Sequence, residues 1–252
     1  SSIGPYVARF EKAFAEYIGV RYGITTNSGT SAVHLALASL NIKKGDEVIL
    51  PTLTMIATVF PVIYLGATPV LVDSEKETGN IDAAKIEEKI SKKTKAIIVV
   101  HLHGHPVNMD PILDIAKKYN LKVIEDAAEA HGAEYKDKKV GSLGDIGCFS
   151  FYGNKIITTG EGGMCLTNDK KLAEKIRALG DIDRHHKRHF YHEKIAYTYR
   201  MSNLQAAVGL SQLENISKFV EKKRQIAVKY FKLLSTVPYL ILPEEKPYAK
   251  SV

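Results

Sequence analysis

AIIVVHLHGHPVNMDPILDIAKKYNLKVIED, residues 96–126, decides the fold class. It opens on a continuous apolar run, Ala96–Val100, as expected of a strand covered on both faces. A helix follows, opened by Asp110 and running to about Tyr119, and Lys122–Asp126 is a second strand. Strand, helix, strand at this spacing is the unit of a parallel sheet.

The same alternation extends toward the N-terminus. Arg9–Tyr17 reads as an amphipathic helix with Phe10, Phe14 and Tyr17 on one face. Tyr22–Thr26 is a short strand, broken by Asn27, Ser28 and Gly29 before the apolar helix SAVHLALASL. Glu47–Leu50 and Pro69–Asp73 read as strands flanking a helix over Met55–Gly66, and Asp82 is expected to cap a helix to about Ser91. Toward the C-terminus CFSFY and GMCLT are strands, with helices at about Lys170–Leu179 and Asn203–Leu234. The expected fold is α/β with a mainly parallel sheet. Ligands of such sheets sit at the carboxyl ends of the strands, so the polar residues to inspect are Asn27–Ser31, Pro51–Met55, His101–His105 and Asp126–His131.

Composition narrows the function classes. The 252 residues are 45% apolar and 25% charged, which excludes a disordered chain. No apolar run reaches the length of a membrane span, and no signal peptide is visible. Cys148 and Cys165 sit in apolar contexts and read as buried small hydrophobes rather than a scaffold or a metal site, so the expected compartment is the cytoplasm. The net charge is +7; residues 1–126 carry 14 basic and 14 acidic side chains, so the excess lies in the second half. No ribbon of alternating aromatic and basic residues marks a nucleic-acid reader, which leaves a solvated basic surface or a phosphorylated small molecule.

Four motifs offer chemistry. Asn27–Ala32, NSGTSA, is a strand-to-helix turn whose free N–H groups suit one phosphate, or equally a helix cap. Glu125–Gly132, EDAAEAHG, places two acids at the end of a buried strand, where a carboxylate needs a cation, hydrogen bonds or a capping role. Ser150–Met164 carries Lys155 in a polar turn between two apolar strands. A lysine drawn out of water among other cations becomes a nucleophilic amine; an exposed turn lysine is the bland alternative. His101, His103 and His105 alternate, but Gly104 and Pro106 make a turn of the stretch and no acid completes a site, so no metal is expected.

Taken together, NSGTSAVHLAL, VILPTLTMIAT, GATPVLVD, HGHPVNMDPI, VIEDAAEAHGAEY, VGSLGDIGCFSFYGNKIITTGEGGM and YRMSNLQAAVGLSQLE resemble, in order and over nearly the whole chain, the DegT/DnrJ/StrS sugar-nucleotide aminotransferases. TLTMIAT, HGHP and EDAAEAHGA are most similar to the GDP-perosamine synthase branch. The resemblance implies the aspartate-aminotransferase fold (fold type I), pyridoxal 5'-phosphate as cofactor, an amino-acid donor expected to be glutamate, a nucleotide-linked keto-deoxysugar as acceptor, and a homodimer with shared active sites.

By the same resemblance Lys155 carries the cofactor, Asp126 lies under its pyridine nitrogen and Glu129 near its phenolic oxygen, where many relatives have Gln. Gly29, Thr30 and Ser150 hold the phosphate, and Met55 packs on the ring face. Thr198 or Arg200 of YTYRM is expected to reach the partner's phosphate, Thr198 standing where relatives usually have Asn.

The resemblance further implies a cofactor-binding large domain over residues 1–215 and an incomplete start of a small C-terminal domain over 216–252. The chain thus reads as a fragment or as a naturally short, impaired enzyme. Arg184–Lys194, RHHKRHFYHEK, replaces a more familiar segment and could meet a sugar diphosphate or be a basic loop. Two other functions compete with the aminotransferase. Dehydratases resembling this family replace the lysine with His, which Lys155 opposes; a non-catalytic dimeric or regulatory relative would keep the fold alone.

Overall fold

The computed structural model describes residues 4–183, 191–192 and 194–252. Helix α1 (Pro5–Ile18) has Pro at its start and Gly19 in the left-handed conformation at its end, both standard punctuation. Phe10, Phe14, Ala15 and Ile18 make its buried stripe. Strand β1 (Tyr22–Thr26), helix α2 (Gly29–Ser39), β2 (Glu47–Pro51), α3 (Ile56–Tyr64) and β3 (Thr68–Val72) follow. Next come β4 (Thr94–Val100), α4 (Met109–Tyr119) and β5 (Lys122–Asp126), then two-residue strands β6 (Glu134–Tyr135) and β7 (Lys138–Lys139). Strands β8 (Ile146–Ser150) and β9 (Gly163–Thr167), helices α5 (Lys170–Gly180), α6 (Asn203–Leu213) and α7 (Ile216–Leu234), and β10 (Ala249–Lys250) complete the order.

The main sheet has seven strands in the order β1-β9-β8-β5-β4-β2-β3. The pairs β2/β3, β2/β4, β4/β5 and β5/β8 are parallel, while β9 runs antiparallel to both β8 and β1. Six strands therefore share one direction and β9 alone opposes them. Every residue of β8 and β9 is buried, and β4 is buried at all positions but Lys95, so their sequences are apolar runs. Two apolar layers flank the sheet. One joins α1 to Ile97, Val99, Phe149 and Met164; the other joins α2 to Ile98, Ile124, Cys148 and Cys165. Both cysteines are buried and free, as their contexts predicted.

Two expectations are corrected. No α-helix runs from Asp82 to Ser91. Asp82 does cap the segment, its carboxylate accepting the Ala84 N–H at 3.0 Å, but the chain forms two 3₁₀ turns, Ala83–Lys85 and Glu87–Lys89. Ile81, before the first turn, and Ile86, between the two, are both buried. The long helix expected over Asn203–Leu234 is broken at Glu214–Asn215. The Asn215 amide donates to the Ser211 carbonyl at 3.3 Å, an Asn side chain competing with the helical ladder. Arg184–Arg188, His189, Phe190 and Glu193 of the basic stretch lie outside the described residues.

Candidate active site

A cavity of about 340 Å³ opens at the carboxyl ends of the strands. The turns after β1, β2, β4, β5 and β8 all contribute to it. Of the residues singled out from sequence, Gly29, Thr30, Met55, Asp126, Glu129, Ser150 and Lys155 line it; Thr198 and Arg200 do not.

The β1–α2 turn forms one wall. Ser28 caps α2, its hydroxyl oxygen accepting the Ser31 N–H at 3.1 Å, while Ser31 donates to Asn27 Oδ1 at 2.5 Å. Capping and anion binding are compatible here, because the first N–H groups of a helix have no partner within it. Gly29 packs so closely against β8 that a Cβ would lie 2.8 Å from the Cβ of Ser150. A larger residue would close this corner of the cavity.

Asp126 ends β5. Burial pushes its carboxyl above the usual range, and two donors pull it back: the Thr58 hydroxyl, 2.7 Å from Oδ2, and the Ala128 N–H, 3.2 Å from Oδ1. Asp126 caps no helix, since the chain continues in turns. Glu125, on the opposite face of the strand, has a different fate. It is fully buried and accepts the N–H groups of Gly141, Leu143 and Gly144, each at 2.7 Å. His101 completes this shell at 3.0 Å from Glu125 Oε2. Its Nδ1 accepts the Val107 N–H at 3.0 Å, so Nε2 carries the proton that goes to the carboxylate.

The three alternating histidines thus diverge. His101 is buried, the His103 side chain is 82% exposed, and His105 bridges the Pro106 carbonyl at 2.8 Å and the Lys246 N–H at 3.2 Å. Among the described residues no group of three or more His, Cys, Asp and Glu side chains could hold a metal ion.

Lys155 lies in the loop between β8 and β9, its side chain 15% exposed. Its Nζ is 3.2 Å from Glu129 Oε1, so its charged neighbour is an anion and the exposed-turn alternative does not hold. Burial alone would raise the Glu129 pKa, but the Lys155 ammonium and the His103 N–H at 3.3 Å outweigh it, and the carboxyl titrates below its usual range.

YTYRM packs beside the β1–α2 turn of its own chain. The Asn27 N–H donates to the Tyr199 carbonyl at 2.8 Å, and Tyr197 and Tyr199 stack with ring centroids 5.0 Å apart. Thr198 and Arg200 alternate with these tyrosines and are exposed, with Arg200 3.0 Å from Asp181 Oδ1.

Sequence reasoning passed over Thr54, Thr58 and His131 as individual residues. Thr58 lies inside the quoted TLTMIAT, but an apolar helix gave no reason to single out its hydroxyl. His131 is fully buried beside Phe14, Phe149 and Phe151, with neither ring nitrogen in a hydrogen bond; burial holds its pKa down to about 3, although the Ser150 backbone opposes the shift.

Comparison with known proteins places this geometry in context. The family model of the DegT/DnrJ/EryC1/StrS aminotransferase family matches residues 1–252. GDP-perosamine synthase of Caulobacter vibrioides is 53% identical over 230 residues, covering 91% of this chain and 62% of the relative. GDP-perosamine synthase of Escherichia coli O157:H7 is 51% identical over 237 residues, covering 94% and 65%. The chain therefore spans less than two thirds of the length of either relative. Among solved structures, S. venezuelae DesV superposes with a TM-score of 0.95 at 35% identity, covering 99% of this chain and 67% of that one.

Proposed function

This chain belongs to the DegT/DnrJ/EryC1/StrS aminotransferase family, and on that premise we propose that it is a pyridoxal-phosphate-dependent aminotransferase. It moves an amino group from an amino acid, glutamate in our reading, to a keto group on a nucleotide-linked deoxysugar. The observation that carries this reading is the cavity at the strand ends. It joins the Lys155 amine, the buried Asp126 carboxylate and the β1–α2 turn.

The residues present fit the cofactor. A carboxyl pushed up by burial lacks a cation, which a protonated pyridine nitrogen would supply. The Gly29 corner, which a Cβ would fill, suits a phosphate against backbone N–H groups. Bound there, pyridoxal phosphate would supply an aldehyde and a ring that takes up an electron pair. Asp126 holds the proton at the ring nitrogen. Gly29, Thr30 and Ser150 would hold the phosphate, Met55 would pack on the ring and Glu129 would serve the phenolic oxygen. The Lys155 amine is the nucleophile and then the base that moves a proton at the substrate carbon.

We assign residues 1–215 to the cofactor-binding domain and 216–252 to the start of a second. The working unit is a homodimer, in which Thr198 or Arg200 reaches the partner's phosphate. Their exposure outside their own cavity supports this, as does the apolar surface of α3, where Ile63 is 52% and Tyr64 59% exposed. No helix among the described residues is long and apolar enough to cross a membrane; we place the enzyme in the cytoplasm.

The test is a screen of nucleotide-linked keto sugars with glutamate and pyridoxal phosphate, followed by mass spectrometry. An aminated sugar nucleotide is the expected product. Cofactor binding without amination of any keto sugar would contradict the substrate assignment.

A further inference from the structure

We infer that Thr58 is a positioning residue for Asp126, and that Thr54 orients it. Two hydroxyls, beginning in the loop that carries Met55, form a one-way chain ending on Oδ2 of the carboxylate. Thr58 Oγ1 is 2.7 Å from Asp126 Oδ2, and Thr54 Oγ1 is 2.8 Å from Thr58 Oγ1. An ionised carboxylate only accepts, so Thr58 must donate its single hydroxyl proton to Asp126. Its oxygen is then the acceptor for Thr54, which fixes the direction of the whole chain.

The geometry is unusual for a threonine in this place. Thr58 lies in the first turn of α3, with its N–H on the Met55 carbonyl at 2.9 Å. A hydroxyl there ordinarily bonds nearby backbone. Here it reaches a residue 68 positions away in sequence, on the neighbouring side of the cavity, and Thr58 is buried. The chain therefore ties α3 and the Met55 loop to the end of β5.

Its chemical consequence concerns the second oxygen as much as the first. The Thr58 hydroxyl takes Oδ2 and the Ala128 N–H takes Oδ1, so the carboxylate cannot rotate without breaking one of them. Each oxygen retains a lone pair for a further donor. Both donors also favour the ionised form against burial. A protonated or rotated Asp126 could not keep a proton on a ring nitrogen. This last step rests on the proposed function; the hydroxyl chain and its hold on Asp126 do not.

The experiment is a carboxyl-carbon NMR titration of Asp126 in the cofactor-free chain, with the signal identified by its loss in Asp126→Asn. In Thr58→Val, which keeps the volume and removes the hydroxyl, the midpoint should rise by about one pH unit or more. Thr58→Ser should restore the wild-type midpoint. Thr54→Val, which leaves Thr58 in place and alters a half-buried residue, should give a smaller rise. The acid limb of pyridoxal phosphate binding should move up by the same amounts. A folded Thr58→Val chain with an unchanged midpoint overturns the inference. If that variant does not fold, an unchanged midpoint in Thr54→Val overturns it. A wild-type chain that binds no pyridoxal phosphate at any pH sinks the proposed function, while the titration still judges Thr58.

Discussion

The floor of the cavity and its outer rim obey different rules. Beneath the floor, Glu125 is saturated by three backbone N–H groups and His101; on the floor itself, Asp126 is held by Thr58 and Ala128. Every bond there comes from the chain itself. On the rim Met55 is exposed, and beyond the cavity lining Ile56, Ile63, Tyr64, Thr198 and Arg200 are exposed as well. Glu125 is satisfied within the fold, Asp126 keeps room for a cation, and the outer apolar groups face solvent. Buried polar groups must be satisfied within one fold, whereas exposed apolar groups can be satisfied by a second molecule. In the proposed dimer, the fold would supply the chemistry of such a site and the partner its completeness.

Asp126→Asn breaks the floor most severely. The amide cannot keep a ring nitrogen protonated, and turnover should fall at least about a hundredfold, or about 2.7 kcal/mol in the barrier. The same change should stabilise the cofactor-free chain. Asp126 has a raised pKa in the fold, so its contribution to stability is fully present below the unfolded value and is lost as pH rises through the folded one. Melting temperatures of cofactor-free protein against pH should show Asp126→Asn gaining over wild type toward neutral pH. Melting curves that coincide at every pH would mean that the carboxylate's burial carries no cost.

His131→Phe probes the floor from below. The His131 pKa is lowered to about 3 by burial. Its contribution is therefore lost as pH falls from the unfolded value of about 6.5 toward the folded one. At pH 5 the removal of this load should stabilise the chain by about 2 kcal/mol, with little gain at pH 8. Chemical denaturation at the two pH values checks it; an equal effect at both would assign the change to packing within the phenylalanine cage.

The rim is tested on α3 by Ile63→Asp and by Phe60→Asp, at a residue that is 40% exposed. Each puts a charge on a surface where the proposed dimer would bury an apolar group. Self-association should weaken about tenfold or more, or about 1.4 kcal/mol, with the melting temperature of the dilute chain unchanged. Sedimentation that shows the same association in the variants would place the interface elsewhere.

Sequence alone revealed the floor better than the rim. Strands β1, β5 and β9 were legible to the residue, because buried strands are short apolar runs ended by polar turns. That Lys155 and Asp126 line the cavity was legible from their places at or beyond the carboxyl ends of such strands. The pairing of Thr58 with Asp126 was not, because 68 residues separate them and only the fold brings them together. The two-residue strands β6, β7 and β10 have no period to read. The 3₁₀ turns after Asp82 were hidden for a related reason. The cap signal was correct, but the burial of Ile81 and Ile86 is a tertiary fact.

The central claim is that Lys155 is the amine that takes the cofactor, and reductive trapping tests it most directly. The chain is incubated with pyridoxal phosphate, reduced with borohydride, digested and mapped by mass spectrometry. The account predicts a single modified peptide containing Gly153-Asn154-Lys155, absent in Lys155→Ala. A modification on another lysine, or one that persists in Lys155→Ala, would contradict it.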